Sequence, residues 1–151
     1  MKVVYRSIGL SFLFSLMAAC GEQKPAASSS VQALMQGEMD EVTDVIWGSA
    51  GYIITAEGEQ SLYPTTTEGW MRVVNGAKDL AALAEKLKSD EYAYDLDDWV
   101  QIADGLVVAS SRAEAAALAQ DEEQLFAAGG HIYRVCKSCH QLYAPGMAVE
   151  E

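Results

Sequence analysis

The stretch DEEQLFAAGGHIYRVCKSCHQLY, residues 121–143, decides the fold because it carries two helical stripes at once. Leu125, Ala128, Ile132, Val135, Cys139 and Leu142 recur at steps of three or four. So do Phe126, Gly129, Tyr133, Cys136, His140 and Tyr143. Such steps return a side chain to one face of an α-helix, and neighbouring stripes give that face width. Asp121, with Gln124 three residues on, is suited to cap the start. The spacing therefore predicts a helix over 121–143 that gathers its chemistry near its end. Cys136 and His140 stand one turn apart, with Cys139 between them at the same level.

Three further stripes precede it. Met35, Met39, Val42, Ile46, Ala50 and Ile53 form the first, and Trp70, Val73, Ala77, Leu80, Ala84 and Leu87 the second. Trp99, Ile102, Leu106, Ala109, Ala113 and Ala116 form the third. Glu57-Gly58 and Tyr63-Pro64 break the chain after the first stripe, and Thr65 with Glu68 offers a capping box for the second. Residues 89–94 lose the period, and the acids of 95–98 suit the start of the third helix. No segment alternates as a strand should, although YIIT at 52–55 is β-prone in isolation. The expected fold is all-α, an antiparallel four-helix bundle. Trp47, Trp70 and Trp99 read as its core anchors.

Residues 1–19 have the order of an export signal, with Lys2 and Arg6, an apolar run from Ile8 to Met17, and then Ala18-Ala19. The run is too short to span a bilayer. LMAAC resembles the lipobox of bacterial lipoproteins, which implies cleavage before Cys20 and lipidation of its thiol. Met17 departs from the leucine usual there. Gly21-Glu22, without an aspartate after the cysteine, points by analogy to the outer membrane. Residues 20–30 read as a lipidated flexible tether and residues 31–151 as one domain, since GEQKPAASSS cannot bury apolar surface. The expected location is the periplasm, with the lipid as the membrane contact.

The chain holds 22 acidic against 10 basic residues, a net charge of -12, and loss of Lys2 and Arg6 with the signal makes it -14. That charge repels phosphate backbones and argues against nucleic acid as a ligand. Of the three cysteines, processing at Cys20 leaves only Cys136 and Cys139 as free thiols in an oxidising compartment.

The Cys-x-x-Cys-His cluster admits three chemistries. A zinc site needs about four ligands, and the cluster supplies three at most, with His131 nine residues earlier on the same helix. A redox dithiol needs a helix N-terminus to lower a thiol pKa, whereas this pair lies in the last third of a helix, where the dipole opposes a thiolate. Covalent haem needs two thiols on one face and an imidazole beside them, and all are present. The expected cofactor is one haem c per chain, with its iron. Gly129 and Gly130 would let a flat macrocycle lie against the helix.

The 121–143 stretch is similar to the last helix of the cytochrome c prime family, four-helix-bundle haem proteins with this motif near the C-terminus. ALMQ and DVIW in the first helix, and the chain from Asp97 onward, extend the resemblance. It implies that Cys136 and Cys139 attach haem c, that His140 is the proximal iron ligand, and that the first helix supplies the distal side. Low-spin members carry a methionine near the start of that helix, which makes Met35 the candidate distal ligand and Met39 the weaker one. Core filling is the alternative role for both, since methionine packs well. Met71 lies off its stripe and Met147 on a short tail.

A closed sixth position gives a single-electron carrier, and an open one gives a site for nitric oxide or carbon monoxide. The first is the leading expectation, with redox proteins as partners, and no enzyme activity is expected because no distal acid-base residue is identifiable. Pairing into a homodimer is a further state suggested by the resemblance. Tyr133 and Tyr143 are placed to pack the haem edge, Arg134 or Arg72 to neutralise a propionate, and His131 at the helix surface.

Overall fold

The computed structural model describes residues 29–93 and 97–145. The chain is mostly helical, so the all-α expectation holds at the level of class. Cys20, Met147 and the 1–28 segment lie outside the described residues. No described helix is long and apolar enough to cross a membrane.

The first helical region has three parts. α1 (Ser29–Leu34) passes through a π-turn (Met35–Met39) into α2 (Asp40–Trp47). Val31, Leu34, Met39, Thr43 and Ile46 are the buried positions, and the step from Leu34 to Met39 is five. An uninterrupted α-helix cannot keep one face through a step of five, because five residues overshoot a turn by about 140°. The π-turn absorbs the excess, and Gly37 takes non-helical angles there (φ -116°, ψ -106°). Below it the Thr43 hydroxyl donates to the Met39 carbonyl at 2.9 Å, with the Asp40 carbonyl 3.0 Å away.

The first helix ends at Trp47, not at Ile53 as its stripe predicts. Gly48 closes it, Gly51 takes φ +95°, and YIIT becomes strand β1 (Tyr52–Thr55). β1 pairs antiparallel with β2 (Gly58–Ser61), Tyr52 opposite Ser61 and Ile54 opposite Glu59. Gly58 at φ +136° makes the turn possible. The β-prone run, freed by two glycines, wins over the helical spacing of Ala50 and Ile53.

α3 (Thr67–Lys86) is capped by Thr66, whose hydroxyl accepts from the Gly69 amide, so the cap falls one residue later than predicted. α4 (Asp98–Ala119) ends with Gln120 in the left-handed region, and the Asp121 amide returns to the Ala116 carbonyl at 3.0 Å. α5 (Glu122–Tyr143) starts where the sequence places it, with the Asp121 carboxylate accepting from the Gln124 amide at 2.9 Å. Asp121→Ala should cost about 1 kcal/mol of stability, read as a lower midpoint in urea.

Successive helices run in opposite directions. Glu38 and Lys86 pair α2's approach with the end of α3, and Gly76 sits against Val45. Lys78–Glu114 and Lys88–Asp104 align α3 with α4 in reverse, and Gly105 faces Val135 across α4 and α5. The core between them contains Ile46, Val73, Leu80, Ala113, Leu125 and Ile132, all fully buried. Trp70 and Trp99 are core anchors as expected, while Trp47 is partly exposed at the rim.

Candidate functional site

The predicted cluster opens into an apolar cleft. Val135, Cys136, Cys139 and His140 of α5 face Trp99, Ile102, Ala103 and Leu106 of α4, with Leu87 beyond the end of α3. Met35 and Met39 close the remaining side from the π-turn. The structure thus brings together five side chains that the sequence singles out from opposite ends of the domain. The cleft encloses only about 30 Å³, room for about one water, and is otherwise open to solvent.

Each wall has a local cause. Trp99 is held by its indole N–H, which donates to the Leu87 carbonyl at 2.6 Å, and by an edge-on contact with Tyr143 (4.8 Å between centroids, 79°). Tyr143 is buried, so it does pack this end of α5. Met39 is buried and Met35 half-buried, on the same side of the π-turn. In an α-helix, residues four apart are offset by about 40°. The kink at Gly37 lies between the two residues, and both line the cleft.

Cys136 and Cys139 are free thiols, half-buried, and not joined to each other. Burial pushes the Cys136 thiol above its ordinary pKa. Burial, with the neighbouring Cys136 adding, pushes Cys139 up to about 11. Both thiols are thus neutral near pH 7, the opposite of an activated redox dithiol. Among the described residues no three histidine, cysteine or acidic side chains converge to hold a metal ion. In haem-free protein, iodoacetamide should alkylate Cys139 far more slowly at pH 8 than it alkylates a free peptide thiol, with the rate climbing towards pH 11. The same shift makes the folded apoprotein lose stability as pH rises, because the unfolded thiol ionises first. The loss starts near the ordinary thiol pKa and levels off above about 11.

Several expectations for the second α5 stripe need correction. Phe126 and Tyr133 are exposed, and neither lines the cleft. Gly129 does not face the cleft either. A side chain there would meet the Trp47 ring at 3.4 Å, and the Gly129 carbonyl accepts from the Trp47 indole N–H at 3.2 Å. Gly130 has only Arg134 nearby. Gly129 thus packs beside a tryptophan and Gly130 beside an arginine, and neither lines the cleft. Arg134 reaches His131 at 2.8 Å over the α4–α5 groove, so neither lines the cleft, and Arg72 is exposed on α3. Sequence reasoning missed Trp99 as a cleft wall, having placed it only in the core, and it missed Leu87. Both follow from the short span between α3 and α4, which folds the end of one helix onto the start of the next.

The donors and the lining fit a haem. Two thiols and an imidazole share one end of α5, the opposite wall carries thioethers, and the surfaces between are apolar and aromatic. The enclosed space is small, so the walls would have to part around a macrocycle. Compared with protein-family models, with curated proteins and with solved structures, the chain matches none.

Proposed function

We propose that this chain is a c-type cytochrome of four-helix-bundle form, tethered in the periplasm through a lipid on Cys20, and that it carries single electrons. The observation behind this reading is the convergence of Cys136, Cys139 and His140 with Met35 and Met39 on one apolar cleft. The π-turn and α2 serve as the first helix of the bundle and α3, α4 and α5 as the others.

When bound, the haem supplies the reversible one-electron couple of its iron. The residues do the rest. Cys136 and Cys139 hold the macrocycle through thioether bonds, so it cannot be lost on reduction or oxidation. Their raised pKa keeps them as thiols until attachment. His140 donates an imidazole nitrogen on the α5 side, and Met35 offers a thioether from the other. Trp99, Leu87, Ile102 and Leu106 exclude water, which favours the less charged state of the iron site and so sets the potential. The lipid on Cys20 keeps the domain near membrane partners at high effective concentration.

The experiment is a spectroelectrochemical titration of the purified protein. A single reversible one-electron transition, with a reduced form that takes up carbon monoxide slowly or weakly, supports the carrier. A reduced form that binds nitric oxide or carbon monoxide at once would replace the carrier with a gas-binding protein on the same site.

A further inference from the structure

The hairpin and the first half of α5 form a second feature, well away from the cleft. Its side chains are large, apolar and open to solvent, with Ile54 78 % exposed, Phe126 62 %, Tyr52 52 % and Ile53 47 %. Trp47 joins them at 37 %. They are contiguous through α5. Phe126 lies against Gly51, the Trp47 indole is bonded to the Gly129 carbonyl, and Tyr52 meets Tyr63 edge-on at 5.6 Å. A two-stranded hairpin is barely stable by itself, and this one exposes every strand position. The cross-chain contacts fix a surface that would otherwise be costly to leave open to water. Exposed apolar patches with a polar rim mark binding sites.

The rim is of one sign. Asp44 stands one turn before Trp47, Glu59 opposite Ile54, and Glu57 at the hairpin tip. Glu122 and Glu123 stand one turn before Phe126, and Glu122 is close enough to Tyr63 to add to the rise that burial gives its pKa. Residues 25–71 contain seven acidic side chains and no lysine or arginine at all. An apolar centre bordered by carboxylates selects its occupant by charge. A second copy would bring the same carboxylates, and an anionic bilayer would be repelled.

We infer that this face docks a protein partner whose own apolar contact patch is ringed by lysine and arginine side chains. Trp47, Tyr52, Ile54 and Phe126 supply the desolvated centre, and the carboxylates steer the approach and fix the register. The inference does not depend on the haem reading, because none of these residues lines the cleft.

The test uses the full mature chain and two synthetic helical peptides with the same leucine and phenylalanine face. One is flanked by lysines and the other by glutamates. The lysine-flanked peptide should bind at low salt, measured by calorimetry, and the glutamate-flanked one should not. Ile54→Ser with Phe126→Ser should weaken binding by about tenfold or more. Glu57→Gln with Glu59→Gln and Glu122→Gln should weaken it by about tenfold. Asp79→Asn with Asp90→Asn and Glu91→Gln, which removes three charges elsewhere, should change it by less than about twofold. Circular dichroism of each variant should match the wild type, as these side chains are exposed. Equal weakening by the distant triple, no effect of the apolar pair, or no binding of the lysine peptide would overturn the proposal. So would a dimer, or binding to phosphatidylcholine vesicles, that disappears in Ile54→Ser with Phe126→Ser.

Discussion

Met35→Ala is expected to turn a low-spin protein into a high-spin one that binds carbon monoxide quickly. Met39→Ala is expected to keep the low-spin spectrum and to lower stability instead, by about 2–5 kcal/mol. The difference follows from where the π-turn puts the two side chains. Met39 is packed into the hydrophobic core and only its edge reaches the cleft. Met35 is half-buried and packs against the core from outside it, so its loss costs less packing. Visible absorption of the oxidised and reduced proteins reads the spin state, and flow kinetics read the carbon monoxide rate. A wild type that is already high-spin contradicts ligation by either residue. A low-spin spectrum that survives Met35→Ala and is lost in Met39→Ala moves the ligand to the far end of the π-turn.

Cys136→Ser combined with Cys139→Ser should abolish covalent haem altogether. Thioether bonds need the sulfurs, and these are the two thiols left once Cys20 is processed. Each single variant should keep one bond and stain faintly on a denaturing gel. The double variant should also unfold at lower temperature. The apolar walls formed by Trp99, Ile102, Leu106 and Val135 would lose the group they pack against, and lost packing costs stability. A double variant that stains like the wild type under denaturing conditions would remove these cysteines from the account.

What was legible in the sequence follows from which signals were strong. The α3, α4 and α5 stripes repeat at three and four over about five turns each, and Gly129-Gly130 in α5 is outweighed by the apolar residues on either side. The Asp121 cap was readable for the same reason. The first helix was read through Ile53 because Ala50 and Ile53 continue the period, yet Gly48 and Gly51 stop it and YIIT prefers a strand. The π-turn left a trace that went unread. Leu34 belongs to the buried face and Met35 only partly, a step of five that a stripe beginning at Met35 conceals.

The candidate site was legible in its donors and not in its walls. Cys136, Cys139, His140, Met35 and Met39 share the cleft that their spacing suggested. Phe126, Gly129 and Tyr133 share a stripe with Cys136 but face Trp47, the hairpin and solvent. Over five turns a straight helix and a nearly straight neighbour diverge, so one stripe can serve two surfaces. Periodicity reports which residues share a face, and it does not report which neighbour covers that face.

The most direct test of covalent haem uses trypsin. It cuts after Arg134 and after Lys137, which puts Cys136 in fragment 135–137 and Cys139 in the fragment that starts at 138. Nothing but a bridge between the two sulfurs can keep those fragments together under reducing, denaturing conditions. A digest of the mature wild-type protein, separated and weighed by mass spectrometry, should give one coloured species that contains both fragments and one haem. Two colourless fragments, each alkylated at its cysteine, would contradict the account.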